Sequence, residues 1–364
     1  EFEKEIKSLE ENLEKSKNPF DKDGISQVDT AKIEKIQEEI NSKLKTTYSK
    51  LNSWQKTLVA RHEDRPRAKF YINEIFSDFT LISGDRLFSD DKSIIAGFGL
   101  INNKSVLVLG QEKGLDLNSR MESNFGMMRP EGYRKCIRLM KLADRFRIPV
   151  ISLIDTPGAY PGIGAEQRGQ AIAIANSIEC CMSLKVPNIS IIIGEGGSGG
   201  AIALASSNKV IMLEHSIYSV ISPEGCASIL WRDPSKSLEA AEAMKLTAQQ
   251  LSKLGIVDEV VEEPVGGAHR DHKETAEKIK NIILKYLENF ESLSGDQILN
   301  HRKTKFLKVG RDQGFKKAKD TVDNNLAFVE PTTSKIIRLL KKRKSLVLGS
   351  AVILTLLVIL SNFL

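Results

Sequence analysis

The feature that most constrains the fold of this chain is an alternation of short apolar runs with helical stretches across residues 85–265. Runs that are apolar throughout and bounded by turn residues are typical of strands buried inside a sheet. The clearest are 149–155, 188–193 and 209–213. Helical stretches lie between them, at 166–183 and 199–207. This alternation predicts a layered α/β domain.

Flanking segments extend the pattern. Residues 93–110 predict two strands joined in a hairpin at Asn102-Asn103, and residues 130–146 predict a helix. Toward the C-terminus, 256–261 predict a last strand and 272–308 a polar helical region.

The N-terminal residues have a different composition. Segments 1–17 and 30–50 are rich in Glu and Lys, and apolar residues recur in the second at three- and four-residue spacing, at Ile33, Ile36, Ile40 and Leu44. This spacing predicts amphipathic helices that form a coiled-coil arm with a packing role.

Two glycine-rich loops stand where predicted strands end and helices begin, the positions at which α/β proteins bind ligands. They occupy 154–162 (IDTPGAYPG) and 193–201 (IGEGGSGGA). A GTP site would also need a phosphate-binding loop that ends in Gly-Lys-Ser/Thr. The nearest match starts at Gly97, but Asn103 stands in place of the second glycine. A nucleotide site is therefore not predicted.

The second loop leaves three interpretations open. Its centre, 196–200, satisfies the G-x-S-x-G pattern of a serine hydrolase, and Asp258 and His269 follow Ser198 in the order that such enzymes use. Alternatively, successive glycines expose backbone N–H groups at the start of a helix, an arrangement that stabilises an oxyanion. The structural alternative is a tight turn, although five glycines in seven residues exceed what a turn needs.

With these loops, the chain resembles the alpha subunits of bacterial-type acetyl-CoA carboxylase carboxyltransferases. The resemblance spans about residues 1–315 and implies a crotonase-like fold of repeated ββα units, which agrees with the alternation above. The motifs that carry it occur in order at 83–86, 124–127, 130–135, 154–162, 194–201, 218–231 and 263–270.

The resemblance also implies a reaction, the first committed step of fatty acid biosynthesis. Carboxybiotin, carried on a separate carrier protein, releases CO2, and the backbone amides of Gly199 and Gly200 form an oxyanion hole for the biotin ureido anion. That anion takes a proton from acetyl-CoA, and the enolate captures CO2 to give malonyl-CoA. The residues expected to contact substrate are Gly158, Ala159, Gly196, Gly197 and Arg168.

The same resemblance implies the partners. The chain is expected to act in an α2β2 assembly whose beta subunit binds the CoA thioester and carries a zinc ribbon. It is expected to work with biotin carboxylase and the biotin carboxyl carrier protein. No metal is expected in the present chain, whose four cysteines include no C-x-x-C pair.

Several other residues have structural alternatives. Arg168 is equally compatible with an ion pair, and Glu166 and Glu195 are expected to position Arg168 or a loop. The role of His269 is not evident from its motif. Cys180 and Cys181 fall in a predicted helix and are expected to be buried thiols.

The net charge of +6 is concentrated at the C-terminus, because six basic residues and no acidic ones follow Glu330. The body of the chain is therefore neutral, and no specific nucleic acid partner is predicted. Behind the basic cluster 341–344, residues 345–364 carry no charge over twenty positions. As a helix this segment would cross a bilayer with the cations on the cytoplasmic side. We expect a cytoplasmic enzyme tethered to the inner face of a membrane; a helix buried in an oligomer is the alternative.

These features divide the chain into four predicted parts. They are an N-terminal helical region (1–80), a crotonase-like carboxyltransferase domain (81–315), a basic linker (316–340) and a C-terminal hydrophobic helix that anchors the protein in a membrane (341–364). Two other functions stay open: a serine hydrolase built on Ser198, and a non-catalytic scaffold that holds the carboxylase complex at a membrane.

Overall fold

The computed structural model describes residues 2–17, 20–21, 24–25 and 29–310. The predicted linker and the predicted membrane anchor lie outside these residues. Of the helices within the described ranges, none is both long enough and apolar enough to cross a membrane.

The described residues form helices and strands in an alternating order. The strands are β1 (Phe20–Asp21), β2 (Gly24–Ile25), β3 (Ser77–Leu81), β4 (Ile94–Ile101), β5 (Lys104–Gln111), β6 (Val150–Thr156), β7 (Asn188–Gly197), β8 (Lys209–Leu213), β9 (Ile217–Ser219) and β10 (Glu259–Val261). The helices are α1 (Lys4–Lys17), α2 (Thr30–Tyr48), α3 (Ser53–Ala60), α4 (Ala68–Ile75), α5 (Leu117–Glu122), α6 (Pro130–Arg145), α7 (Ile163–Gln167), α8 (Gln170–Ser183), α9 (Ser198–Ala205), α10 (Pro223–Trp231), α11 (Ser237–Met244), α12 (Ala248–Lys253), α13 (His272–Glu291) and α14 (Gly295–Lys308).

One large sheet has the strand order β10-β8-β7-β6-β5-β4-β3, and β9 pairs with the end of β7. The strands from β5 to β10 along this order run parallel, whereas β3, β4 and β5 pair antiparallel. Asn102 and Asn103 both have left-handed φ angles, 45° and 62°, as a two-residue hairpin turn of type I′ requires. The predicted hairpin and the predicted buried strands β6, β7 and β8 are confirmed.

Helices cover both faces of the sheet, and alternate residues of each strand supply the two cores. Leu107 and Leu109 of β5 belong to a cluster with α6, α8 and α9. Val106 and Val108 point to the other face and pack with α4 and α13. The region 272–308 is amphipathic rather than polar throughout, because α13 buries one complete face against this second core.

The helical arm is present as predicted. Residues Ile6, Leu13, Ile40 and Leu44 of α1 and α2 form their own buried cluster. The arm is tied to the 263–270 motif by an ion pair between Glu10 and Arg270.

Candidate active site

The carboxyl ends of the parallel strands bring the two glycine loops together. Between β6 and β7 the register changes from Ile154↔Ile192 to Thr156↔Gly196, so β7 carries two extra residues in a bulge. The Asp155 carboxylate fills this bulge, and its Oδ1 accepts the Glu195 N–H at 2.9 Å. A side chain at Gly194 would lie 2.5 Å from the same oxygen. Bulges re-aim a strand, and this one directs the second loop across the first.

The loops cross with backbone against backbone. A Cβ on Gly197 would lie 2.1 Å from the carbonyl oxygen of Pro157, and one on Gly200 would lie 2.6 Å from the carbonyl group of Gly158. Both distances are far shorter than any real Cβ contact, so packing requires these two glycines. A Cβ on Gly199 would instead meet Ile174 at 3.4 Å, an ordinary contact. The structural interpretation therefore explains Gly197 and Gly200 but not Gly199.

The first turn of α9 begins at this crossing. Gly197 is the N-cap and has no side chain to offer, and Ser198 follows with a left-handed φ of 51°. The N–H groups of the first helical turn have no partner within the helix, and no other described residue accepts from the N–H of Gly199 or Gly200. Gly199 is half-buried and Gly200 is buried. Unpaired N–H groups at the positive end of a helix dipole form a site for an anionic oxygen.

Hydrogen bonds hold both loops in place. The Gln111 side chain, at the end of β5, donates from Nε2 to the carbonyl oxygen of Gly200 at 2.8 Å. In the first loop, the Thr156 hydroxyl donates to the Gly158 carbonyl at 2.7 Å and accepts the Gly158 N–H at 3.2 Å. Gln170 donates to the carbonyl oxygen of Tyr160 at 3.0 Å. The N–H groups of the site are therefore set in position before any ligand binds.

A cluster of buried charges underlies the crossing. Lys113 Nζ lies 2.7 Å from Asp155 Oδ1 and 2.6 Å from Glu195 Oε2. Arg61 Nε donates to Glu195 Oε1 at 2.6 Å, and Arg67 Nη1 donates to Asp155 Oδ2 at 3.1 Å. Burial by itself raises the pKa of Glu195, but the charges of Lys113 and Arg61 lower that pKa to about 2. Glu195 is therefore ionised at neutral pH. Its contacts agree with a role in positioning its own loop, one of the two roles predicted for it; the other was to position Arg168.

Sequence reasoning missed the cations of this cluster. Asp155 and Glu195 were within the glycine loops, but Lys113, Arg61 and Arg67 were not candidates. The available signal was a single carboxylate at the end of each of two otherwise apolar runs. A charge in that position needs a buried partner.

Arg168 forms an ion pair, the structural alternative that the sequence left open for it. Its guanidinium pairs with the buried Glu131 carboxylate and lies over the Phe88 ring, 4.4 Å from the ring centroid. Glu166 is exposed, and within the described part of the chain Arg168 pairs with Glu131 instead. Contact of Arg168 with substrate stays a prediction.

The three residues of a serine hydrolase triad are not assembled. Asp258 accepts the Val210 N–H at 2.7 Å and pairs with Lys305, so it lies where β8 begins. Ser198 follows the last residue of β7, so it lies at the carboxyl end of these parallel strands, opposite to the end where Asp258 lies. His269 stacks on His62 at 3.9 Å between ring centroids, and burial followed by the nearby charges lowers its pKa to about 3. The hydrolase alternative is therefore not supported.

The buried thiols are confirmed, because Cys180 and Cys181 lie in α8 and are buried. Over the residues with described positions, no group of three His, Cys, Asp or Glu side chains is arranged to hold a metal ion.

Comparisons with known proteins agree with this geometry. The profile of the family described as acetyl co-enzyme A carboxylase carboxyltransferase-like matches residues 1–310. The acetyl-coenzyme A carboxylase carboxyl transferase subunit alpha of Pelagibacter ubique is 58% identical over 362 residues, covering 100% of this chain and 97% of that protein. The subunits of Rhodospirillum centenum and Agrobacterium fabrum are each 51% identical, over 311 and 312 residues, covering 85% of this chain and 98% of theirs.

A solved structure of transcarboxylase 12S shares the fold, with a TM-score of 0.51 and 19% identity. The match covers 63% of this chain and 43% of that one, so it spans less than half of the transcarboxylase chain. At this identity the likeness is one of fold alone, and it confirms the predicted crotonase-like architecture. The profile match and the sequence identities above half show that this chain belongs to the family of acetyl-coenzyme A carboxylase carboxyltransferase alpha subunits.

Proposed function

We propose that this carboxyltransferase subunit uses the N–H groups of Gly199 and Gly200 as an oxyanion site during carboxyl transfer to acetyl-CoA. One observation carries the proposal: these two N–H groups lie in the first turn of α9, where the two loops cross, and have no acceptor among the described residues. Carboxybiotin on a separate carrier protein supplies the carboxyl group. The oxygen of its ureido ring is an acceptor that suits two backbone donors.

The contribution of this chain is electrostatic. Charge that develops on an oxygen beside Gly199 and Gly200 meets two N–H dipoles and the positive end of α9, already fixed by Gln111 and the loop crossing. Preorganised donors of this kind contribute about 3–4 kcal/mol each to a transition state. Gly158, Ala159, Gly196 and Gly197 shape the backbone floor of the site, and none of them offers a side chain larger than methyl.

The beta subunit completes the site in this proposal. Two apolar side chains are largely exposed: Val220 at 78%, next to the residue that pairs with Gly197, and Ile229 at 70% on α10, the helix whose Glu224 pairs with Arg61. Exposed apolar surface next to a site is typical of a protein interface. We assign this surface to the beta subunit of an α2β2 assembly, which would bind the CoA thioester and carry the zinc.

We also retain the four-part division of the chain and the membrane tether as hypotheses. The match to the Pelagibacter protein extends over the whole chain, so segment 345–364 lies within a region shared with a relative. Flotation of the full chain with lipid vesicles, compared with a 1–340 truncation, tests the tether. If neither protein floats, the tether is wrong.

The oxyanion site is tested in a complex with the beta subunit and a carboxylated carrier, by the rate of malonyl-CoA formation. Gly199→Pro removes one N–H of the first turn of α9, where that N–H has no partner within the helix, and it should lower kcat by about 10²–10³-fold. Gly199→Ala keeps the N–H and is the matched control, expected to stay within about threefold of the wild type. A folded Gly199→Pro variant with wild-type kcat would contradict the proposal.

A further inference from the structure

We propose that Lys113 is a positioning residue for carboxyl transfer, because its ammonium group fixes the two glycine loops against each other. The inference rests on the proposed oxyanion role of Gly199 and Gly200. It adds to that role a side chain outside both loops that sets where the donors lie.

The Lys113 ammonium group forms an ion pair with a carboxylate near the start of each loop. Lys113 follows β5, is buried, and places Nζ 2.7 Å from Asp155 Oδ1 and 2.6 Å from Glu195 Oε2. Asp155 directly precedes Thr156 and the turn at Pro157-Gly158. Glu195 directly precedes Gly196. A shift of Lys113 therefore changes the spacing of the two loops.

A cation is needed at this point because both carboxylates are buried. Asp155 is 1% and Glu195 7% exposed, and neighbouring buried carboxylates stay ionised only with a cation between them or hydrogen bonds to both. Arg61 contacts Glu195 and Arg67 contacts Asp155, so each arginine holds one loop. Across the described ranges, Lys113 is the cation that contacts both.

A second contact connects the same strand end to the donors themselves. Gln111, two residues before Lys113, is fully buried and donates to the carbonyl oxygen of Gly200. The end of β5 thus holds the second loop at its start, through Glu195, and at Gly200. Loss of the Lys113 contact is expected to displace the loop at one of these two points and to tilt the first turn of α9.

Such a displacement has a kinetic signature. Misplacement of reacting groups by about 1 Å costs on the order of 10²-fold in rate. Lys113 is engaged with Asp155 and Glu195 rather than with substrate, so kcat should fall while KM for acetyl-CoA changes little. A smaller folded fraction would also lower the apparent kcat at unchanged KM, so kcat is expressed per assembled complex and compared with Tm.

The experiment uses a variant pair that keeps the buried charges balanced. Lys113→Met combined with Glu195→Gln removes one charge of each sign from the cluster. The matched control is Lys305→Met combined with Asp258→Asn, an ion pair at the other end of the parallel strands, where β8 begins. The lysine side chains are comparably buried, with exposures of 11% for Lys113 and 14% for Lys305.

Both double variants are assembled with the beta subunit and assayed for kcat, KM and Tm. We expect the Lys113 pair to lower kcat by about 10- to 100-fold with KM within about threefold, and the control pair to keep kcat. Equal kcat in the two pairs, or a loss that follows Tm in both, would overturn the inference. Gly199→Pro separates the two proposals: if it is inactive while the Lys113 pair is active, only the Lys113 role fails. If Gly199→Pro is active, the oxyanion site fails and the Lys113 role falls with it.

Discussion

The crossing of the two loops predicts opposite consequences for the same substitution at neighbouring glycines. Gly199→Ala and Gly200→Ala each add one methyl group in the first turn of α9. At Gly200 the new Cβ would lie 2.6 Å from the carbonyl carbon and oxygen of Gly158 and 3.0 Å from the Ala159 nitrogen. At Gly199 it would lie 3.4 Å from the end of the flexible Ile174 side chain.

The magnitude follows from the difference between these contacts. Replacing glycine by alanine restricts the unfolded chain and stabilises a compatible position by about 0.4–1 kcal/mol. This gain is common to both variants and cancels in the comparison. The remaining difference is the cost of moving one backbone away from another, about 1–3 kcal/mol for overpacking of this kind. Gly200→Ala should therefore be less stable than Gly199→Ala by about 1–3 kcal/mol.

Thermal unfolding of the two variants at one scan rate measures this difference. For domains of 150–250 residues each kcal/mol corresponds to about 2–4 °C in Tm, so Gly200→Ala should unfold several degrees below Gly199→Ala. Carboxyl transfer should follow the same order, because only Gly200→Ala separates the loops. Equal Tm values, or a more stable Gly200→Ala variant, would refute the crossing geometry.

Three further results are expected. Arg65→Met should lower the free energy of unfolding by about 3–5 kcal/mol in chemical denaturation, because it leaves the buried Glu263 carboxylate without its cation. Adding Glu263→Gln should restore part of this free energy, and no recovery would argue against a charge effect. Ser198→Ala should retain carboxyl transfer within about threefold, since no nucleophile is needed, whereas a complete loss would revive the hydrolase interpretation. Buried ion pairs lower the pKa values of Glu195 and Glu263 from 4.5 to about 2, so their stabilisation is present above pH 4.5 and is lost as the pH falls toward 2. Glu195→Gln should flatten the fall of Tm in that range, and an unchanged acid profile would contradict the pairing.

Much of the fold was predictable because its strands are buried on both faces. Every position of β6 is buried, and four of its first five residues are apolar. The Asn102-Asn103 turn has the residues that a tight hairpin requires. Helix boundaries were less accurate. The predicted helix 166–183 is divided at Gly169, whose φ of 81° ends one helix and precedes the next.

The site was predictable as a location but not in its parts. The glycine loops lie together at the carboxyl ends of β6 and β7, as the sequence predicted, and the roles of Gly199 and Gly200 stay predictions. The bulge opposite Asp155 was not predictable, because register depends on which side chain fills it. Lys113 was not predictable, because in the sequence it looks like a surface lysine that follows a strand. Only the fold brings it to Asp155 and Glu195, near the ends of β6 and β7. Arg168 pairs with Glu131 of another helix, and a contact of that separation leaves no local pattern.

The central claim is that backbone N–H groups of the second loop stabilise charge during carboxyl transfer. The most direct measurement replaces the amide at Gly199 by an ester, incorporating glycolic acid, because this removes the N–H without adding an atom. With the beta subunit present, kcat for malonyl-CoA formation should fall by about 10²–10³-fold while Tm stays close to that of the wild type. Wild-type kcat in the ester variant would contradict the account.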